Sequence, residues 1–313
     1  MAEIIMTNRQ LIERLWFIVN LCLTKYMYAC YGFKITTETI AKKSKQNLNG
    51  WYTKDHIAGL KEVADRTPTY WGFDCVNLLK GILWGWTGDE SKTYGGAVYG
   101  SHGVPDTNAN GMILQCKGVT TDFSSIEPGE GLWLEGHWGV YVGGGLAIEC
   151  TGRWSGGVQV TAVLNLGKRT GYNGRYWTKH GRIPWIAYEG IADDVQPEKI
   201  ELGSRIIRRN TQGTDVKELQ EALLKLGYTL PKYGADGDFG KESEQALKLF
   251  QEDTGLEVDG EFGKETFAAL QKALSGPQTA PAEPVEQKYT AWHLNDSQAN
   301  EARTWPGVEV TKE

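Results

Sequence analysis

The feature that most constrains the fold is a series of closely spaced strand patterns between residues 131 and 188. Short apolar or alternating segments are separated there by glycine-rich turns, in the order GLWLEG, HWGVYVGGGLAIEC, GVQVTAVL and RIPWIAY. Short segments bounded by turns in this way are typical of strands that follow one another in a sheet. The sequence therefore predicts an antiparallel sheet in this part of the chain.

Helical patterns precede these strands. Residues 7 to about 30 carry an apolar stripe at helical spacing, which predicts one helix. A second stripe runs over residues 75–83 and follows Asp74, a favoured N-cap residue. The glycine-rich residues 87–110 indicate a long loop or lid. Helices followed by strands predict an α+β domain over residues 1–190, with the helices packed on the sheet.

The rest of the chain follows a different pattern. An acidic, proline-bearing linker is predicted over residues 191–203. Beyond it, DGDFGKESEQALKLFQ from Asp236 and DGEFGKETFAALQKAL from Asp259 repeat one turn-then-helix unit. With the upstream helix DVKELQEALLKLGY, they predict a small all-α three-helix domain over residues 204–275. Residues 276–313 are interpreted as a Pro/Ala-rich tether and an unassigned tail.

Composition excludes several function classes. The formal net charge of -6 and the lack of a Lys/Arg cluster argue against nucleic acid as a partner. The most apolar segment, residues 15–23, is too short to cross a bilayer, so no membrane insertion is expected. No secretory signal pattern is visible, which predicts a protein made in the cytoplasm.

No metal or cofactor is expected either. No His/Asp/Cys cluster has the spacing of metal ligands. The two acidic turns fit a calcium-binding loop poorly, and helix N-capping is the simpler explanation for their Asp and Glu residues.

The five cysteines are odd in number and include no CxxC pair, which indicates reduced thiols. Cys75 stands at the predicted start of a helix, where unpaired N–H groups and the helix dipole favour a thiolate, so we expect a low thiol pKa. A buried packing role is the commoner fate of a lone cysteine. A chemical role for Cys75 therefore requires a base and an acceptor elsewhere in the chain.

His137 is the strongest candidate for that base. It begins an H-x-G-x-Y strand, in which Gly139 shares its face and leaves room for a neighbouring backbone. If the glycine turn sets Glu149 opposite His137, the carboxylate can orient the imidazole. A tighter two-residue turn would set Cys150 there instead. We prefer Glu149, because a carboxylate is the better acceptor for an imidazole N–H.

Three segments in this order resemble the NlpC-type cysteine peptidases of bacterial cell walls: FDCVNLL, EPGEGLWL and HWGVYVGGGLAIEC. The resemblance covers roughly residues 7–190 and implies a papain-like α+β fold. It also implies that Cys75 is the nucleophile, His137 the base and Glu149 the orienting residue. The segment LTKYMYAC resembles the family's segment with a substrate-side tyrosine, which makes Tyr26 a candidate oxyanion donor.

The sequence also departs from that family's pattern. Ala29 and Cys30 replace the paired glycines that usually follow the tyrosine. A glutamate, Glu149, stands where histidine is common. Residues 34–70, which are polar and irregular, look inserted.

Residues 204–275 resemble the three-helix peptidoglycan-binding domain found beside many wall hydrolases, through their D-G-x-F-G turns. Both resemblances imply one partner, bacterial peptidoglycan. They predict a peptidoglycan hydrolase that cleaves a stem-peptide amide, between D-glutamate and the third residue, often diaminopimelate. The two-part layout is similar to that of phage or prophage endolysins.

Three alternatives stay open at this stage. One is an N-acetylmuramoyl-L-alanine amidase with the same triad, because the triad does not define the bond that is cut. Another is an acyltransferase that uses the same thioester. The last is a non-catalytic wall-binding protein in which Cys75 only packs.

Overall fold

The computed structural model describes residues 3–46, 49–154, 156–169, 172–193, 201–209, 211–275, 287–290 and 308–311. The chain divides into two compact units, Met1–Glu198 and Lys199–Glu313. The helices are α1 (Asn8–Leu21), α2 (Thr37–Lys45), α3 (Lys54–Lys61), α4 (Cys75–Leu83), α5 (Ala109–Gln115), α6 (Thr214–Lys225), α7 (Lys241–Asp253) and α8 (Lys264–Ser275). The strands are β1 (Met6–Thr7), β2 (Leu23–Tyr26), β3 (Tyr31–Lys34), β4 (Tyr70–Phe73), β5 (Lys117–Thr120), β6 (Gly131–Leu134), β7 (His137–Gly143), β8 (Leu146–Cys150), β9 (Val158–Val163), β10 (Gly174–Arg175), β11 (Lys179–Arg182), β12 (Ile186–Ala187), β13 (Gln287–Thr290) and β14 (Val308–Thr311).

The first unit is built on one seven-stranded sheet in the order β10-β9-β8-β7-β6-β11-β5. All neighbouring strands are antiparallel except β9 and β10, which run parallel. Helix α4 packs on β7 and β8, and α1 packs on β8 and β9. The predicted α+β architecture is therefore confirmed, and its papain-like character stays a prediction.

The RIPWIAY segment does not form the single strand that its pattern predicts. Strand β11 ends at Arg182, and β12 begins only at Ile186. Pro184 lies between them. Since proline has no N–H to give to a ladder, it separates the two strands.

The predicted helix over residues 7 to about 30 is wrong in its second half. A capping box between Thr7 and Gln10 starts α1, but Cys22 is already extended, with φ -113° and ψ 138°. The next four residues form β2, which pairs in parallel with β4. The apolar stripe continues through Cys22 and Leu23, but the chain leaves the helix there because β2 pairs with β4.

Residues 34–70 are not irregular. They contain α2 and α3, which begin after the N-caps Thr36 and Thr53. Tyr70 then begins β4, the central strand of a small sheet in the order β2-β4-β3. Strand β4 ends at Phe73, directly before the N-cap Asp74, and so delivers Cys75 to the start of α4.

The second unit contains the three predicted helices, α6, α7 and α8. The internal repeat corresponds to two equivalent turns, each held by a glutamine of the preceding helix. Gln220 Nε2 donates to Asp236 Oδ1 at 3.0 Å, and its Oε1 accepts the N–H of Gly237 at 2.7 Å.

The second copy repeats this arrangement. Gln251 Nε2 donates to Asp259 Oδ1 at 2.7 Å, and Gln251 Oε1 accepts the N–H of Gly260 at 2.9 Å. The aspartates therefore shape the turns and do not cap the helices, and the capping explanation is wrong for them. The N-cap of α7 is Gly240, which has no side chain to cap the helix.

Two predicted segments lie mostly outside the described residues. Residues 194–200 of the predicted linker and 276–286 of the predicted tether are among these. In the tail, β13 and β14 form a parallel pair. The domain bounds read from the sequence remain a prediction.

Candidate active site

Cys75 is the first residue of α4, as the sequence predicts. The N-cap is Asp74, whose carboxylate accepts the N–H of Asn77 at 2.8 Å. Every residue of α4 is buried, and Cys75 retains only 8% exposure. The thiol therefore sits in a narrow, largely dry position at the start of a buried helix.

The thiol of Cys75 lies against the start of β7. Its Sγ is 3.9 Å from the carbonyl oxygen of Gly136, and the backbone N–H of Trp138 is close enough to stabilise a thiolate. These two peptide groups flank His137 in the chain. The structure thus brings together the helix start and the strand start that carry the two candidate residues.

The low thiol pKa expected for Cys75 is wrong. Burial raises its pKa to about 12, and the Asp74 carboxylate adds to that effect. The N–H groups of Val76, Trp138 and Cys75 oppose the rise but do not overcome it. The effect of burial on the thiol pKa therefore outweighs that of the N–H groups at the helix start. The thiol stays protonated unless a nearby base accepts its proton.

His137 and Glu149 form a close pair. His137 Nε2 and Glu149 Oε2 are 2.5 Å apart, and Glu149 is fully buried. With Nε2 occupied in this way, Nδ1 is the ring nitrogen left to exchange a proton with a thiol or an amine. The pair has the arrangement of a base and its orienting acceptor.

Both registers considered for β7 and β8 are wrong. Gly139, not His137, lies directly opposite Glu149, and the register shifts between Tyr141 and Gly143. His137 therefore reaches Glu149 diagonally on the same face of the sheet. Cys150 points to the other face, where its Sγ contacts the carbonyl of Phe73 at 3.2 Å.

Sequence reasoning missed two further partners of Glu149. Thr161 Oγ1 donates to Oε1 at 2.8 Å. Arg175 donates to Oε1 through Nε at 3.1 Å and to Oε2 through Nη2 at 2.8 Å. Burial would raise the pKa of Glu149, but the hydrogen bonds and charges of His137 and Arg175 outweigh it and lower the pKa.

These partners differ in the signal that they leave in the sequence. Thr161 and Gln159 are the two polar residues of the otherwise apolar strand β9, and Gln159 pairs with Glu149. Polar residues alternating in a buried strand indicate a polar face. Arg175 lies in a two-residue strand, which shows no periodicity. Trp177, whose ring stacks on His137 at 5.6 Å and 12°, is one tryptophan among 12.

Tyr26 ends β2 and pairs with Phe73, two residues before Cys75. Burial raises its pKa, and the neighbouring Cys75 and Asp74 raise it further. The phenol therefore stays protonated and can donate a hydrogen bond. Ala29 adopts φ 57°, and its N–H donates to Asp74 at 2.9 Å.

Residues from the 34–70 segment contribute to the surroundings of Tyr26. The ring of Trp51 lies 5.5 Å from that of Tyr26 and stacks on His56 at 4.4 Å. Trp51, just before α3, and His56, within α3, therefore form a stacked aromatic pair beside Tyr26.

Among the described residues, no three His, Cys, Asp or Glu side chains are grouped closely enough to hold a metal ion. Within that same part of the chain, none of the helices has the length and apolar character needed to span a membrane.

Comparison with known proteins identifies part of the second unit. Residues 212–270 match the family "Putative peptidoglycan binding domain". This match covers α6, α7 and most of α8, together with both repeated turns.

Curated relatives are similar over short stretches. The chain is 45% identical over 53 residues to "N-acetylmuramoyl-L-alanine amidase CwlL" of Bacillus licheniformis, which is 17% of this chain and 15% of that protein. It is 37% identical over 91 residues to a "Probable N-acetylmuramoyl-L-alanine amidase" of the same species, covering 29% and 23%. It is 51% identical over 45 residues to the type VI secretion system spike protein VgrG3 of Vibrio cholerae, covering 14% and 4%. The chain thus spans less than a quarter of each relative.

Two solved structures are also similar to a short part of this chain. One is a peptidoglycan-binding protein from Clostridioides difficile in complex with glutamine hydroxamate, at 35% identity over 22% of this chain and 41% of that chain, with a TM-score of 0.21. The other is the SleB N-terminal domain, at 41% identity over 23% of this chain and 97% of that chain, with a TM-score of 0.22.

Proposed function

We propose that this chain is a peptidoglycan amide hydrolase in which Cys75 is the nucleophile, His137 the base and Glu149 the orienting residue. The observation that supports this best is the packing of the Cys75 thiol against the peptide groups on either side of His137, whose ring is held by Glu149. A raised thiol pKa is compatible with this role, because His137 accepts the proton as the thiol attacks.

The reaction then proceeds in two halves. Cys75 Sγ attacks the amide carbonyl carbon, and its proton passes to His137. N–H groups at the start of α4 and the Tyr26 hydroxyl stabilise the oxyanion. The carbon–nitrogen bond breaks, His137 protonates the leaving amine, and a thioester remains. Water, deprotonated by His137, attacks the thioester and releases the carboxylic acid and the thiol.

The second unit directs the chain to one polymer, peptidoglycan. Its match to a peptidoglycan-binding family supports binding to the bacterial wall. A second contact with an insoluble polymer raises the local concentration of bonds available to the first unit. The chain would therefore act on the cell wall, as a phage or prophage endolysin does.

Two bonds are candidates for cleavage. The NlpC-type resemblance favours the amide between D-glutamate and diaminopimelate. The short matches to one N-acetylmuramoyl-L-alanine amidase and to one probable amidase of this kind favour the amide between N-acetylmuramic acid and L-alanine, and we retain this as the second candidate.

Mass spectrometry of purified peptidoglycan after digestion distinguishes these reactions. New glutamate-terminated fragments support the endopeptidase, freed lactyl-sugars support the amidase, and peptides transferred to an added amine support an acyltransferase. Cys75→Ala should release nothing, while Cys116→Ala, which alters a half-buried thiol elsewhere, should behave as wild type. Equal release by Cys75→Ala and wild type would overturn the proposal, and no release by wild type would leave a wall-binding protein.

A further inference from the structure

Glu149 is a fully buried carboxylate whose two oxygens are both held by side chains. Oε2 pairs with His137 Nε2 and with Arg175 Nη2, and Oε1 accepts from Thr161 Oγ1 and Arg175 Nε. Two of these four contacts come from one guanidinium, whose fork matches the carboxylate. Arg175 is itself nearly buried, since its side chain is 11% exposed.

Aromatic rings fix the position of the Arg175 guanidinium. Its Cζ lies 5.2 Å from the ring centroid of Trp154 and 5.6 Å from that of Trp177. The ring of Trp177 also stacks on His137. The Trp177 indole therefore contacts both the Arg175 guanidinium and the His137 imidazole, and it fixes the position of one relative to the other.

A glutamate at position 149 has to be kept anionic in a buried place, whereas a neutral acceptor carries no charge that burial would disfavour. Burial favours the protonated form of a carboxylate, and hydrogen-bond donors and a facing cation oppose that effect. The charged groups that face Glu149 are His137 on β7 and Arg175 on β10, and its neighbour on β9, Thr161, is neutral. Arg175 is thus the permanent cation of the set.

We propose that Arg175 is a positioning residue for the hydrolysis: it holds Glu149 in the anionic, aligned form that orients His137 toward Cys75. This inference rests on the proposed function. Arg175 touches neither the thiol nor the leaving group in this role, and it acts through Glu149.

Kinetics with purified peptidoglycan test this role against a merely structural one. Arg175→Met should lower kcat about tenfold or more with KM within about twofold, as expected for residues in one network. The acid limb of its kcat–pH profile should move to higher pH, because Glu149 then gains a proton more readily. Arg175→Lys keeps the charge and loses the fork, so it should keep the acid limb and lose less kcat.

Two further variants control the experiment. Arg169→Met removes an arginine that donates to the Gly144 carbonyl at the turn between β7 and β8, and it should match wild type in kcat and pH profile. In a Glu149→Gln background, Arg175→Met should cost less than about threefold, because a neutral amide needs no counter-charge. This double variant and Arg175→Lys carry the test if Arg175→Met alone does not fold.

A substrate-independent readout separates this inference from the proposed function. The rate of iodoacetamide alkylation at Cys75, read by peptide mass spectrometry, should fall at neutral pH in Arg175→Met and not in Arg169→Met. If wild type cleaves peptidoglycan but Arg175→Met keeps its kcat, pH profile and alkylation rate, the inference is wrong and the function stands. If wild type cleaves nothing but alkylation slows as expected, the proposed function is wrong, and Arg175 positions His137 for a reaction of Cys75 other than peptidoglycan hydrolysis. No hydrolysis and no change in alkylation would end both.

Discussion

Gly139 lies directly opposite Glu149 in the pair of β7 and β8, so His137 reaches the carboxylate along a diagonal. A side chain at residue 139 would stand between Glu149 and the ring of Trp177, which stacks on His137. A Cβ built on Gly139 would lie 2.8 Å from Trp177 and 3.5 Å from the Cβ of Glu149.

Gly139→Ala should therefore displace Trp177 from the His137 ring. We expect a loss of about 1–3 kcal/mol in the free energy of unfolding, as for other overpacked cores, together with lower kcat. Urea unfolding and peptidoglycan release measure the two effects. Gly59→Ala in α3 is the matched control, because a Cβ there meets nothing within 4 Å, and it should be neutral or stabilise by about 0.5–1 kcal/mol. Wild-type stability and kcat in Gly139→Ala would contradict this account.

The lowered pKa of Glu149 predicts a pH dependence of stability. Because the folded-state pKa lies below the ordinary value of 4.5, the contribution is fully present above about pH 4.5 and is lost as pH falls through the folded pKa. Glu149→Gln should be less stable than wild type at neutral pH, and the difference should shrink as the pH falls below 4.5. Urea unfolding from pH 7 to pH 3 tests this, and a difference that is constant with pH would refute it.

The raised pKa of Cys75 predicts how the thiol behaves without its base. In His137→Ala, alkylation of Cys75 by iodoacetamide should be slow at pH 7 and should rise only toward the thiol pKa of about 12. Adding Asp74→Asn should move that rise to lower pH, because it removes a negative charge beside the thiol and keeps an N-cap residue. An unchanged pH dependence in the double variant would show that Asp74 does not act on the thiol electrostatically.

The repeated turns of the second unit offer paired variants that control each other. Gln220→Ala removes the acceptor of the Gly237 N–H, and Gln251→Ala removes that of the Gly260 N–H. Each should lose about 1–3 kcal/mol of local stability, because it leaves a turn amide without its partner. Hydrogen exchange of the full chain should speed up at the affected turn alone. Equal exchange at both turns in either variant would contradict the local role of its glutamine, and an effect in only one of the two variants would contradict the equivalence of the copies.

The sequence predicts the main parts of this fold where one pattern dominates. The apolar stripe predicts α4, the alternation predicts β7, and the repeated turn-helix units predict α7 and α8. In each of these segments, only one type of secondary structure places the apolar residues on one buried face. The segments before α4 are less predictable. Strand β2 continues an apolar stripe that reads as helix, and only its pairing with β4 makes it a strand.

The candidate site, like the fold, can be predicted from the sequence only in part. His137 and Glu149 could be paired from the sequence because a turn joins their strands. Their register could not, since it depends on the irregularity between Tyr141 and Gly143. Arg175 could not be predicted at all, because β10 reaches Glu149 only by way of the sheet order.

The Asp74 carboxylate has a consequence beyond the start of α4. It accepts the N–H of Asn77 and the side-chain amide of the same residue on one side, and the N–H of Ala29 on the other. The segment that carries Tyr26 and the helix that carries Cys75 are thereby joined through a single carboxylate. Because both segments bond the same group, a displacement of one pulls on the other, and Tyr26 and Cys75 keep their relative position.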